Sequence, residues 1–136
     1  MTLRGALREA IRQAVNDGYT RFLAGGALGF DTMAAETVLE LRDEGNLPIT
    51  LTLVIPHPEQ ASRWAYTDVL RYEAIRKAAN EVIETADHYF RGCMQVRNRR
   101  LVDESSRCIA YLRKDTGGTA YTVAYAEKHA VPVVKL

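Results

Sequence analysis

Residues 23–36 read "LAGGALGFDTMAAE". Apolar Leu23 and Ala24 run into Gly25, Gly26 and Gly29, and an amphipathic stretch follows with Asp31 at its start. Glycine loses more backbone freedom on folding than any other residue. A cluster at such a junction therefore marks tight turning or the close approach of a ligand. A strand that hands over to a helix in this way is the unit from which parallel α/β sheets are built.

Upstream of the junction, Leu3, Ala6, Leu7, Ala10, Ile11, Ala14 and Val15 repeat at helical spacing, with Thr2 as the cap and Gly18 as the stop. "TRFLA" (20–24) is a short strand. Downstream, a second helix runs from about Asp31 to Arg42 and "GNLP" breaks it. "ITLTLVIP" (49–56) is β-branched and apolar on both faces, the pattern of a strand buried on both sides. An extended loop, "PHPEQASRW" (56–64), precedes a helix near 65–79, the strand "EVIET" and the loop "ADHYFRG" (86–92). A helix near 93–105, the strand "RCIAYL", the turn "RKDTGGT", a helix over 119–129 and a last strand "VPVVKL" follow.

This alternation predicts a single Rossmann-like domain over residues 1–136. It is an α/β three-layer sandwich with a mostly parallel sheet of about five strands. Doubly wound domains usually begin with a strand and this chain begins with a helix, so a leading strand is expected to be absent.

The chain has 136 residues, enough to bury roughly two-thirds of its unfolded surface. Hydrophobic residues make up 47% and charged residues 26%, ordinary values for a globular protein. No apolar run approaches the ~20 residues of a membrane helix, and "MTLRGALREA" lacks the apolar centre of a signal peptide. Two cysteines, Cys93 and Cys108, with no secretory signal point to a reduced cytoplasmic setting. A net charge of +1 argues against a nucleic-acid-coating protein.

In a parallel sheet every strand-to-helix turn lies at the carboxyl rim, where ligands of such folds bind. Gly25–Gly29, Gly117–Gly118 and the loops 56–64 and 86–92 all fall there. Helix starts offer unpaired N–H groups, and a glycine turn lets a phosphate approach them. Thr119 adds a hydroxyl beside Gly118. Two such turns suit an anion with more than one phosphate, or a phosphate and a sugar; each alone also reads as a plain tight turn. Neither is a Walker A motif, and the first is GGxxG rather than GxGxxG.

Asp31 has two readings, the helix N-cap or an acceptor for ribose hydroxyls. Arg91, Arg97, Arg99 and Arg100 surround a helix start that follows a rim loop, and arginine forks match phosphate oxygens. Trp64 either stacks on a base or closes its loop over the core. Glu36 reads as an exposed helical glutamate, and Cys93 as a buried thiol at a helix start. His57, His88 and His129 are scattered, so no metal site and no nucleophilic triad is expected.

"FLAGGALGFDTMAAE", Arg63-Trp64, "HYFRGCMQVRNRRLVDESS" and "GGTAYTVAYAEKHAVPVV" together resemble the SLOG superfamily, which joins SMF/DprA proteins with LOG nucleotide phosphoribohydrolases. Within it the chain is most similar to the YpsA-like family, from Gly18 onward. The resemblance implies a nucleotide-derived ligand held by Gly25, Gly26, Ala27, Gly29, Arg97, Asn98, Gly117, Gly118 and Thr119. Members of the wider group are enzymes or sensors of NAD-derived or ADP-ribose-like signals, and phage proteins that sequester such signals are a related case. Two departures stand out. The opening strand with its Thr-Gly-His-Arg turn is not in this sequence. Aligning the LOG pattern PGGxGTxxE on Gly117-Gly118 puts Ala124 in place of the glutamate, whose acid–base assistance is commonly worth about 10²–10⁴-fold.

The leading expectation is a module that senses or sequesters a phosphorylated nucleoside derivative, with no further cofactor. An N-glycosidic hydrolase, using Glu36 or Asp31 as acid/base and Arg97 on the phosphate, is the alternative. Single-stranded DNA binding comes third, against the near-neutral charge. Loss of a leading strand would uncover sheet edge, so a homo-oligomer is expected.

Overall fold

A computed structural model describes residues 1–136. The element order is α1 (Leu3–Asn16), β1 (Arg21–Ala24), α2 (Phe30–Asp43), β2 (Thr50–Ile55), α3 (Tyr66–Ala78), β3 (Glu81–Glu84), α4 (Cys93–Asp103), β4 (Cys108–Ala110), α5 (Gly118–Lys128) and β5 (Val133–Lys135). Thr2 caps α1, its Oγ1 accepting the Gly5 N–H at 3.0 Å. Gly29 takes the N-cap of α2 at φ +86°, a left-handed backbone that an L side chain rarely adopts.

The three strands β1, β2 and β3 pair in parallel, with Ala24 opposite Leu53 and Leu53 opposite Val82. β2 lies in the middle, and its alternation builds the layers. Leu51, Leu53 and Ile55 join one apolar cluster with Leu7 and Ile11 of α1, Val38 and Leu41 of α2, and Tyr72 and Ile75 of α3. Thr52 and Val54, buried as well, point to the opposite face, and α4 packs on β2. Helices therefore cover both faces. Fully burying a leucine such as Leu53 contributes roughly 1.5–3 kcal/mol, so this strand anchors the domain.

The five strands are all parallel, but their hydrogen bonding is interrupted. β4 and β5 pair only with each other, Cys108 opposite Val133, in a separate two-stranded sheet. Contacts near both ends hold that pair alongside β1. Tyr19 Oη donates to Ser106 O at 3.5 Å, and the Phe30 and Tyr111 rings lie 6.2 Å apart. Thr50 N–H bonds Thr20 O and Cys108 N–H bonds Pro132 O. By the alternation of a parallel ladder, Leu23 on β1 and Ile109 on β4 then turn their amides and carbonyls away from their paired strands. No strand from residues 1–136 lies between them, which is why the expected single sheet is two. No helix is long and apolar enough to cross a membrane.

Candidate functional site

The carboxyl ends of the parallel strands place the β1–α2 turn, the β2–α3 loop, the β3–α4 loop and the β4–α5 turn on one rim. The β1–α2 turn is built around Gly25. A Cβ there would lie 2.6 Å from Arg97 Nη1 and 2.7 Å from Asp31 Oδ2, so only glycine leaves room for both. Arg97 Nη1 donates to Gly25 O, and its Nε donates to Asn98 Oδ1 at 2.8 Å. The guanidinium is thus turned inward. Arg97 is only 3% exposed, the most enclosed charged residue of the chain.

Asp31 sits in the first turn of α2, and its carboxylate folds back to accept the Ala27 N–H at 3.3 Å. Burial pushes this carboxyl above its ordinary range, while Arg97 and the Ala27 amide oppose the shift. Burial likewise lowers the affinity of Arg97 for its proton, and Asp31 opposes that. Each charge therefore compensates the other. Arg97 and Asp31 act together as a clamp that sets the path of the glycine turn.

Gly26 completes the turn at φ +72°, its α-carbon facing Ile55 and Gln60 so closely that a Cβ would meet each at 3.1 Å. Gln60 Nε2 donates to Gly26 O at 3.3 Å and ties the β2–α3 loop to the turn. Gly25 and Gly26 are buried, yet neither amide donates to an acceptor within the chain. Unpaired amides in buried residues are rare. The amides of Leu28 and Gly29 are likewise unpartnered, at exposed positions.

The second glycine turn joins the first through α4. Asn98 Nδ2 lies 3.8 Å from where a Cβ of Gly118 would stand, while its neighbour Arg97 holds Gly25. Gly117 has φ +100°, and Gly117, Gly118 and Thr119 are exposed at the start of α5. One dipeptide of α4 thus holds the first turn through Arg97 and stands beside the second through Asn98.

Other sequence-selected residues lie apart. Trp64 packs edge-on against Tyr72, ring centroids 5.2 Å apart, and against the apolar cluster. Glu36 faces α1 and α3, where Arg71 donates to it at 2.5 and 2.9 Å and Arg4 lies 3.8 Å away. These cations hold its carboxyl below the usual range, Arg71 foremost. A concavity of about 470 Å³ is lined by Arg4, Glu36 and Arg71 and by no residue of the glycine turns, and one of about 530 Å³ lies beside Pro132. Cys93 is buried, as expected. No group of three His, Cys, Asp or Glu side chains is arranged to hold a metal ion.

Sequence reasoning missed Gln60, and a glutamine in a polar loop carries no signal that it will latch a turn 34 residues away. It also missed His57 as anything but a scattered histidine. His57 is 9% exposed, and its Nδ1 accepts the Glu59 N–H at 3.2 Å.

Known proteins resemble this chain along most of its length. The profile of the family described as YspA SLOG (YpsA) matches residues 1–133. UPF0398 protein BH1768 of Halalkalibacterium halodurans is 29% identical over 129 residues, covering 93% of this chain and 68% of the relative. UPF0398 protein OB1025 of Oceanobacillus iheyensis is 24% identical, covering 94% and 70%. The uncharacterized SPbeta prophage-derived protein YoqJ of Bacillus subtilis is 28% identical over 120 residues, covering 79% and 70%. None of these names states an activity.

Proposed function

The chain belongs to the YspA SLOG family, and from that premise we propose that it binds a nucleotide-derived, phosphate-containing small molecule, such as an ADP-ribose- or NAD-derived signal. The observation that carries this reading is the convergence of the two glycine turns on Arg97 and Asn98, together with unpartnered amides at Gly25, Gly26, Leu28 and Gly29. Backbone N–H groups at helix starts are natural partners for phosphate oxygens. Arg97 acts through the turn, since its guanidinium is committed to Gly25 O.

The reading is one of sensing or sequestering. Glu36, the candidate acid/base of a hydrolase, is paired with Arg71 on the far side of α2. Asp31 is held by the Ala27 amide and Arg97. Calorimetric titration with ADP-ribose, NAD and nucleoside monophosphates tests the proposal, with mass spectrometry of small molecules released from the purified protein. Saturable binding of at least one of them is expected. Absence of heat with all of them, and no nucleotide released, would contradict it.

A further inference from the structure

His57 follows β2 on the rim, two residues past Ile55, whose side chain packs under Gly26. The Glu59 N–H can only donate, so the Nδ1 that receives it carries no proton. In the neutral ring the proton is then on Nε2. That N–H has no acceptor within the chain although His57 is nine-tenths buried. Nε2 itself is not sealed from solvent.

Tyr89, from the β3–α4 loop, stands edge-on to the His57 ring, with centroids 5.7 Å apart at 78°. It is 69% exposed, so an aromatic surface lies open beside an unused donor. Isolated exposed tyrosines are common, but this one is braced against a fixed ring. Planar heterocycles stack on such rings with little regard to identity, and a nearby N–H then selects those that present an acceptor.

We propose that Tyr89 and His57 form the nucleobase end of the site, Tyr89 stacking on the base and His57 Nε2–H donating to a ring nitrogen or carbonyl of it. This rests on the nucleotide reading above and adds to it where the base lies. Gln60 connects the two ends, since its loop carries His57 and its amide holds Gly26. A ligand with phosphate at the glycine turn and a base over Tyr89 would span the ends of β1, β2 and β3.

The test compares ADP-ribose with ribose 5-phosphate, which keeps a phosphorylated sugar and lacks the base, by calorimetry on the full chain. Tyr89→Ala weakens ADP-ribose binding roughly 5- to 150-fold, the range that base–aromatic stacking spans, and leaves ribose 5-phosphate unchanged. Tyr89→Phe keeps the stack and stays within about twofold of the parent. His57→Phe keeps a ring and removes the donor, so it too weakens only the base-bearing ligand. If Tyr89→Ala binds ADP-ribose as the parent does, the base assignment is overturned while the phosphate reading stands. If the parent protein binds none of ADP-ribose, NAD and the nucleoside monophosphates, the nucleotide reading falls and this one with it.

Discussion

A methyl group on Gly25 would stand where the Arg97 guanidinium and the Asp31 carboxylate already are. Both side chains are held, Arg97 by Gly25 O and Asn98 and Asp31 by the Ala27 amide, so neither yields freely. Gly25→Ala should therefore destabilise the fold by about 1–3 kcal/mol, the usual cost of overpacking. Urea denaturation measures this, and a stability equal to the parent's would show that the clamp is loose. The sequence marked Gly25, Asp31 and Arg97 as one neighbourhood. It did not disclose that Arg97 faces inward, because the contact spans 72 residues and depends on where α4 crosses the rim. Trp64 shows the same limit: the sequence left it open between ligand and core, and only the structure shows it half-buried against Tyr72 and the apolar cluster.

Helices and strands were legible because their signals are local. Thr2 caps α1 as its position suggested, and the doubly apolar pattern of 49–56 became the central strand β2. β4 is shorter than "RCIAYL", covering only Cys108–Ala110, because it has a partner on one side alone. Between helices, Glu36 links α2 to Arg71 of α3 and Arg4 of α1. Its carboxyl is depressed in the folded state, so this link stabilises above the unfolded value, about 4.3, and is lost as pH falls through the folded one. Glu36→Gln should melt below the parent at pH 7, and the gap should narrow as pH falls past the ordinary carboxylate range. A gap that widens in acid would refute the assignment. The same variant should bind ADP-ribose as the parent does.

At the scale of the molecule, alternation of strands and helices predicted the layered α/β architecture that the structure has. The helix-first order signalled an absent strand, but that the sheet would break between β1 and β4 needed coordinates, since the pairing of distant strands leaves no local mark. Outward-turned backbone groups near Leu23 and Ile109 are templates for pairing with another chain. Self-association is therefore predicted, as a mass above 15.2 kDa in light scattering, and a monomer at high concentration would refute it. The convergence of the two glycine turns was legible from topology alone, because every parallel strand delivers its turn to the same rim. The bridge between them, Arg97 and Asn98, needed coordinates.

Amide NMR during titration with ADP-ribose addresses the central claim most directly. Binding through the two turns predicts the largest shifts at Gly25, Gly26, Leu28 and Gly29 and at Gly118 and Thr119, saturating together. Spectra in which those six amides stay in place while the ligand saturates elsewhere would contradict it.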